Sequence, residues 1–105
     1  MAKTLAQSGG FVGPEPIHET FVYGDEEYDV YFKDRTAPER DADSKYLEQF
    51  PENSREQTCQ LLSRVLHEDG PDSPIISYDR ASQMRDTLLT AILGAWMRVL
   101  NGPKA

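Results

Sequence analysis

The sequence predicts a small single α+β domain, an N-terminal β-hairpin packed on C-terminal helices, and three observations carry that expectation. Residues 17–33, IHETFVYGDEEYDVYFK, hold two runs rich in β-branched and aromatic residues on either side of a polar turn. Three later segments open with helix start signals and continue with apolar residues at helical spacing. The final stretch, Thr87 to Leu100, is apolar around most of its circumference and calls for cover on several sides. With 105 residues there is room for one modest core.

In chain order, residues 1–16 contain three glycines and two prolines with no consistent period, and read as a flexible arm pinned at Phe11 and Val12. The glycines do not follow a strand, so they make no dinucleotide fingerprint. The folded domain is expected over 17–101. Its first strand covers Ile17 to Tyr23, and Gly24 to Glu27 form the turn. The return strand, Tyr28 to Lys33, places Tyr28, Val30 and Phe32 on one face and Asp29, Tyr31 and Lys33 on the other. A lone hairpin is marginal in water, so the apolar face must rest on something, and the C-terminal helix is the candidate.

Thr36-Ala37-Pro38-Glu39 has the form of a capping box with proline in the first turn. It predicts an acidic helix running to about Phe50, with Ala42, Tyr46, Leu47 and Phe50 inward and Pro51 as the stop. Asn53-Ser54 starts a second helix, whose Thr58, Leu61, Leu62, Val65 and Leu66 keep helical spacing. Adjacent pairs such as Leu61-Leu62 break the alternation a strand would need. Residues 67–74 are a loop, Ile75-Ile76 a short apolar anchor, and Ser77 caps a further helix that turns Ala81 and Met84 inward. That helix either continues into the last one or bends near Arg85-Asp86. Asn101-Gly102-Pro103 ends the last helix, leaving 102–105 as a short tail.

Charge and chemistry narrow the function. The net charge of −7 argues against a non-specific nucleic-acid binder. From Glu15 to Glu52 twelve acids face four bases, a local −8, while the remainder is near neutral. The single cysteine excludes an intrachain disulfide and, with no signal sequence, points to a reducing cytoplasm. Cys59 falls mid-helix, where a small buried hydrophobe is expected. His18 and His67 lack metal-site spacing, Asp25-Glu26-Glu27 reads as a solvated turn, and Asp41 and Asp43 open no calcium loop because Tyr46 stands where glycine is needed. No catalytic constellation, metal site or cofactor site can be assembled, and Arg98 interrupts the only long apolar run, which excludes a membrane span.

MAK followed by GGFVG, a hairpin ending in VYFK, a loop with DG and PIIS, and a final helix with AIL and VLNG together resemble the tail assembly chaperones of tailed bacteriophages. The resemblance covers nearly the whole chain, although the acidic segment Thr36 to Glu52 has no counterpart string. It implies a non-catalytic protein in the cytoplasm of the bacterial host that binds the tape measure protein and tail tube subunits. On that basis Leu89, Leu93, Trp96 and Leu100 are expected to line a groove for an amphipathic helix, with Tyr31 as a second surface. Ala91, Gly94 and Ala95 also permit close approach of a second copy. The resemblance further implies a longer form made by ribosomal slippage near Gly102-Pro103-Lys104. The acidic half leaves room for two rivals: an inhibitor that mimics nucleic acid and blocks a host DNA-binding enzyme, or a tail component retained in the virion.

Overall fold

The structure, a computed structural model, describes residues 2–7 and 12–101. Its elements are β1 (Ile17–Tyr23), β2 (Glu26–Phe32), α1 (Ala37–Leu47), α2 (Arg55–Val65), α3 (Tyr78–Ser82) and α4 (Asp86–Leu100). The hairpin and the helices form one α+β domain, as the sequence predicts. Phe11 and residues 102–105 lie outside the described residues. Val12 is 46% exposed, and beside it the Gly13 amide ties the arm to the domain by donating to Asp34 Oδ2 at 3.2 Å.

The turn between the strands is tighter than expected. Only Gly24 and Asp25 lie between them, both at positive φ (60° and 67°), so the return strand begins two residues early at Glu26. A two-residue turn of that kind matches the right-handed twist of the strands and fixes the register, Ile17 opposite Phe32 and Tyr23 opposite Glu26. The inner face then carries Ile17, Phe21, Val30 and Phe32, all packed on or in the core. On its far side β2 gains a short partner: the His67 amide donates to Tyr31 O and the Lys33 amide to Val65 O. Ile75 in turn pairs with His67, so the expected apolar anchor is a strand stub extending the hairpin.

Three of the four helices start at the side chains the sequence nominates. The Thr36 hydroxyl accepts from the Glu39 amide while Glu39 Oε1 accepts from the Thr36 amide, a closed capping box. Ser54 accepts from the Gln57 amide and Ser77 from the Arg80 amide. α4 has no such cap. Arg55 instead clasps the junction: its guanidinium donates to Asp86 Oδ1 in the first turn of α4 and to the Ser82 and Met84 carbonyls at the end of α3 and just beyond it. The chain therefore breaks between α3 and α4, just before Asp86, rather than running through.

α4 is the axis of the core. Leu89, Ile92, Ala95, Trp96 and Val99 are buried on it, and the Trp96 ring meets Phe32 at 5.2 Å between centroids. The hairpin covers one flank, tied at both ends of α4 by Tyr23 to Thr87 (3.2 Å) and Arg98 to Glu19 (3.1 Å). α2 covers the next flank with Cys59, Leu62 and Val65. Phe32, Leu62 and Val65 are fully buried, each worth about 1.5–3 kcal/mol of transfer free energy.

α1 departs from the expectation. It ends at Leu47 rather than Phe50, Ala42 is exposed, and Tyr46, Leu47 and Phe50 are only half-buried. The buried residue on its inner side is Asp43, 4% exposed. The apolar residues of this segment are too few and too badly phased to make a face, and an ion cluster docks the helix instead.

Candidate functional site

The four α4 residues expected to form one groove divide between the core and the surface. Leu89 and Trp96 are each 3% exposed and hold the fold together, so they offer little side chain to a partner. Leu93 and Leu100 are half-buried, and Met97, which sequence reasoning passed over, is 48% exposed beside them. These three recur at i, i+4 and i+7, the signature of an apolar seam along a helix. Of the residues considered for self-approach, Ala95 faces the core, whereas a Cβ added at Gly94 would meet nothing within 4 Å. The outer side of α4 is thus open at Gly94 and apolar on either side of it.

Two depressions flank this seam. Toward α2, Leu89 and Leu93 form the floor of one of about 250 Å3 whose rim is polar: Asn53, Arg55, Thr58, Asp86 and Thr90. Toward α1, Leu61, Trp96, Met97 and Leu100 with Leu47 line one of about 140 Å3, closed at its α1 end by Arg40, Asp43 and Ser44. Tyr31 is elsewhere. The register turns it to the outer face of the hairpin, where it stacks on His18 at 4.9 Å, and His18 in turn bonds Asp29 at 2.7 Å. It borders a third cavity, of about 340 Å3, between the hairpin, the 66–70 segment and Leu88 and Ile92 of α4. Tyr31 and the seam therefore belong to different surfaces.

The α1 end of the smaller depression carries charge arranged in an unusual way. Asp43 accepts two bonds from Arg35, at 3.0 and 2.7 Å, and one from Arg64 at 2.7 Å. Arg64 lies over the Tyr46 ring, 4.7 Å from its centroid, a cation–π arrangement. Glu39 is shared between Thr36 and Arg35. Arg40 is left over: its Nε is buried and has no hydrogen-bond partner among the described residues. Sequence reasoning missed this cluster because its members are spread from residue 35 to residue 64. Its one local signal is the count of four bases inside the acidic segment, two of them arginines five residues apart.

Elsewhere the side chains that carry chemistry stand apart. Among the described residues no three of His, Cys, Asp and Glu converge where a metal ion could be held. Cys59 is 1% exposed, and burial pushes its thiol above the ordinary value. His67 Nδ1 is engaged by the Ser73 carbonyl at 2.6 Å. Asp25, Glu26, Glu27 and Asp29 are all exposed at the hairpin tip, a solvated acidic knob. No helix among the described residues is long and apolar enough to cross a membrane.

Comparison with known proteins finds no matching family model, no matching curated protein and no matching solved structure.

Proposed function

We propose that this chain is a non-catalytic tail assembly chaperone of a tailed bacteriophage, acting in the cytoplasm of the host. It holds a segment of the tape measure protein, and through it tail tube subunits, until the tail is assembled. The observation that carries this reading is the half-exposed seam Leu93, Met97 and Leu100 on a helix whose Leu88, Leu89, Ile92, Trp96 and Val99 pack into its own domain. Such a seam accepts the apolar side of a partner helix. The net charge of −7 keeps the carrier dispersed while it is loaded. The α+β layout agrees with the family that the sequence resembles.

Co-expression of the chain with the tape measure protein, followed by co-purification, tests the proposal. Met97→Glu and Leu93→Asp place a carboxylate in the seam at positions already reached by solvent, so the fold survives and capture is lost. Retained capture by both variants, with native helix content by circular dichroism, would overturn the reading.

The nucleic-acid mimic has one feature in its favour, the acidic knob Asp25 to Asp29. It is weakened by the use made of other carboxylates: Glu19, Glu39 and Asp43 are bound to Arg98, Arg35 and Arg64, which interrupts any continuous row. Co-purification with a host DNA-binding enzyme would support the mimic, and presence in purified virions would support a structural tail part.

A further inference from the structure

We propose that β2 receives an extended basic segment of a partner polypeptide as an added strand, along the edge it turns away from β1. This surface is separate from the α4 seam, and the proposal does not rest on the function proposed above.

The hairpin register decides which backbone groups are open. In β2 the groups of Glu27, Asp29 and Tyr31 point away from β1, as those of His18, Thr20 and Val22 in β1 point away from β2. The two edges meet different fates. On β1 the Thr20 carbonyl accepts from Arg98 of α4. On β2 the Tyr31 carbonyl accepts from the His67 amide, which begins a third row. The chain leaves that row at once, because the next amide, that of Glu68, donates to the Pro74 carbonyl. Toward the hairpin tip, Glu27 and Asp29 have no backbone partner on this side among the described residues. The cleft between the hairpin and the 66–70 segment lies where the row would continue, and its lining includes the buried Val30, Leu66 and Ile92. Open edge groups beside an apolar cleft accept an extended chain by strand addition.

Charge says what that chain carries. An added strand sets alternate residues opposite Glu27 and Asp29 on one face, and the residues between them opposite Tyr28 and Val30 on the other. Both carboxylates are exposed, and exposed Glu68 and Asp69 border the same cleft. Asp29 meets His18 and Glu68 meets Arg80, whereas Glu27 and Asp69 enter no ion pair among the described residues. No lysine or arginine lines the cleft among those residues. A second copy would bring acidic strands side by side, and like charges across strands repel. The fitting occupant alternates basic residues, facing Glu27 and Asp29, with apolar ones.

The test uses labelled peptides of about seven residues, an ordinary strand length. One alternates lysine with valine, the other glutamate with valine, and affinity is read by fluorescence anisotropy. The native chain should bind the lysine peptide about tenfold tighter, with the ratio falling as salt rises. N-methylation of its lysines, whose amides would face β2, should abolish binding, while N-methylation of its valines should not. Binding should slow hydrogen exchange at the Glu27 and Asp29 amides. Glu27→Lys combined with Asp29→Lys should reverse the preference. Glu27→Lys alone leaves the His18–Asp29 bond in place and should weaken the preference even if the double variant fails to fold. Met97→Glu, which alters the α4 seam, should change neither affinity. No binding of the lysine peptide, equal affinities, indifference to N-methylated lysines, or binding lost with Met97→Glu would each overturn the proposal. A concentration-dependent dimer that protects the same two amides would also overturn it, by assigning the edge to a second copy. Loss of tape-measure capture with peptide binding intact would reject the phage partner and leave the strand site standing.

Discussion

Glu39 does two jobs from one position. Its carboxylate accepts from the Thr36 backbone amide and hydroxyl and also meets Arg35, and the Thr36 bonds, backbone first, hold its carboxyl below the ordinary 4.5. Because the folded value lies below the unfolded one, the charged form stabilises the fold. That contribution is complete above the ordinary value and disappears as pH falls through the lowered one. Glu39→Gln should therefore melt at a lower temperature than the native chain near neutral pH. The gap should close as acid is added below about pH 4.5, as followed by thermal denaturation at a series of pH values. A gap of constant size down to pH 3 would assign the effect to packing instead. The capping box was legible because all its parts lie within four consecutive residues. Asp43 was not: its meaning depends on Arg35 and Arg64, eight and 21 residues away, and no local pattern announces a pairing at that range.

At the scale of elements, α1 and α4 show opposite ways of attaching a helix. α4 is held by apolar area that was visible in its sequence. α1 has little, and docks through Asp43, 4% exposed and bound by two arginines. Removing one partner of a buried ion cluster leaves the others uncompensated, at a cost of about 3–5 kcal/mol. Arg64 is partly open to solvent, so the lower end applies here. Asp43→Asn, which keeps the shape, should lower stability in urea by about 3 kcal/mol. It should also speed amide hydrogen exchange along α1 more than along α4. A change under about 1 kcal/mol would mean that the half-buried Tyr46, Leu47 and Phe50 carry the docking after all. The α3–α4 break belongs to the same lesson. A bend near Arg85 could be foreseen from sequence as one of two outcomes, but the Arg55 guanidinium that fixes it comes from the start of another helix.

For the whole molecule, the order of elements and the hairpin-on-helix packing followed from periodicity and turn residues, because the core is built from the strongest runs. The partition of α4 did not follow. Leu89 and Leu93 look alike in a string of letters, and only the placement of α2 buries one and half-exposes the other. Cys59, enclosed between α2 and the rest of the core, gives a way to watch the whole assembly open. A thiol reagent at mildly alkaline pH should label it only at the rate of global unfolding, and denaturant should accelerate labelling in step with loss of helix signal. Fast labelling of the native chain would show that α2 opens by itself.

The ties between hairpin and α4 also set a timetable. Thr87 is 64 residues from Tyr23 and Arg98 is 79 from Glu19, so the hairpin is synthesised long before the helix that covers it. Until that helix leaves the ribosome, Ile17, Phe21, Val30 and Phe32 have no lid, and contacts so distant in sequence form late and slowly. During that interval the free side of β1 is an open template. The register leaves the backbone groups of His18, Thr20 and Val22 pointing away from β2. The last turn of α4 closes the interval in two ways at once: its arrival roofs the apolar face, and Arg98 donates to the Thr20 carbonyl on that same free side. A nascent chain is thus most prone to misassociate until the last turn of α4 has emerged from the ribosome and docked, and much less so afterwards.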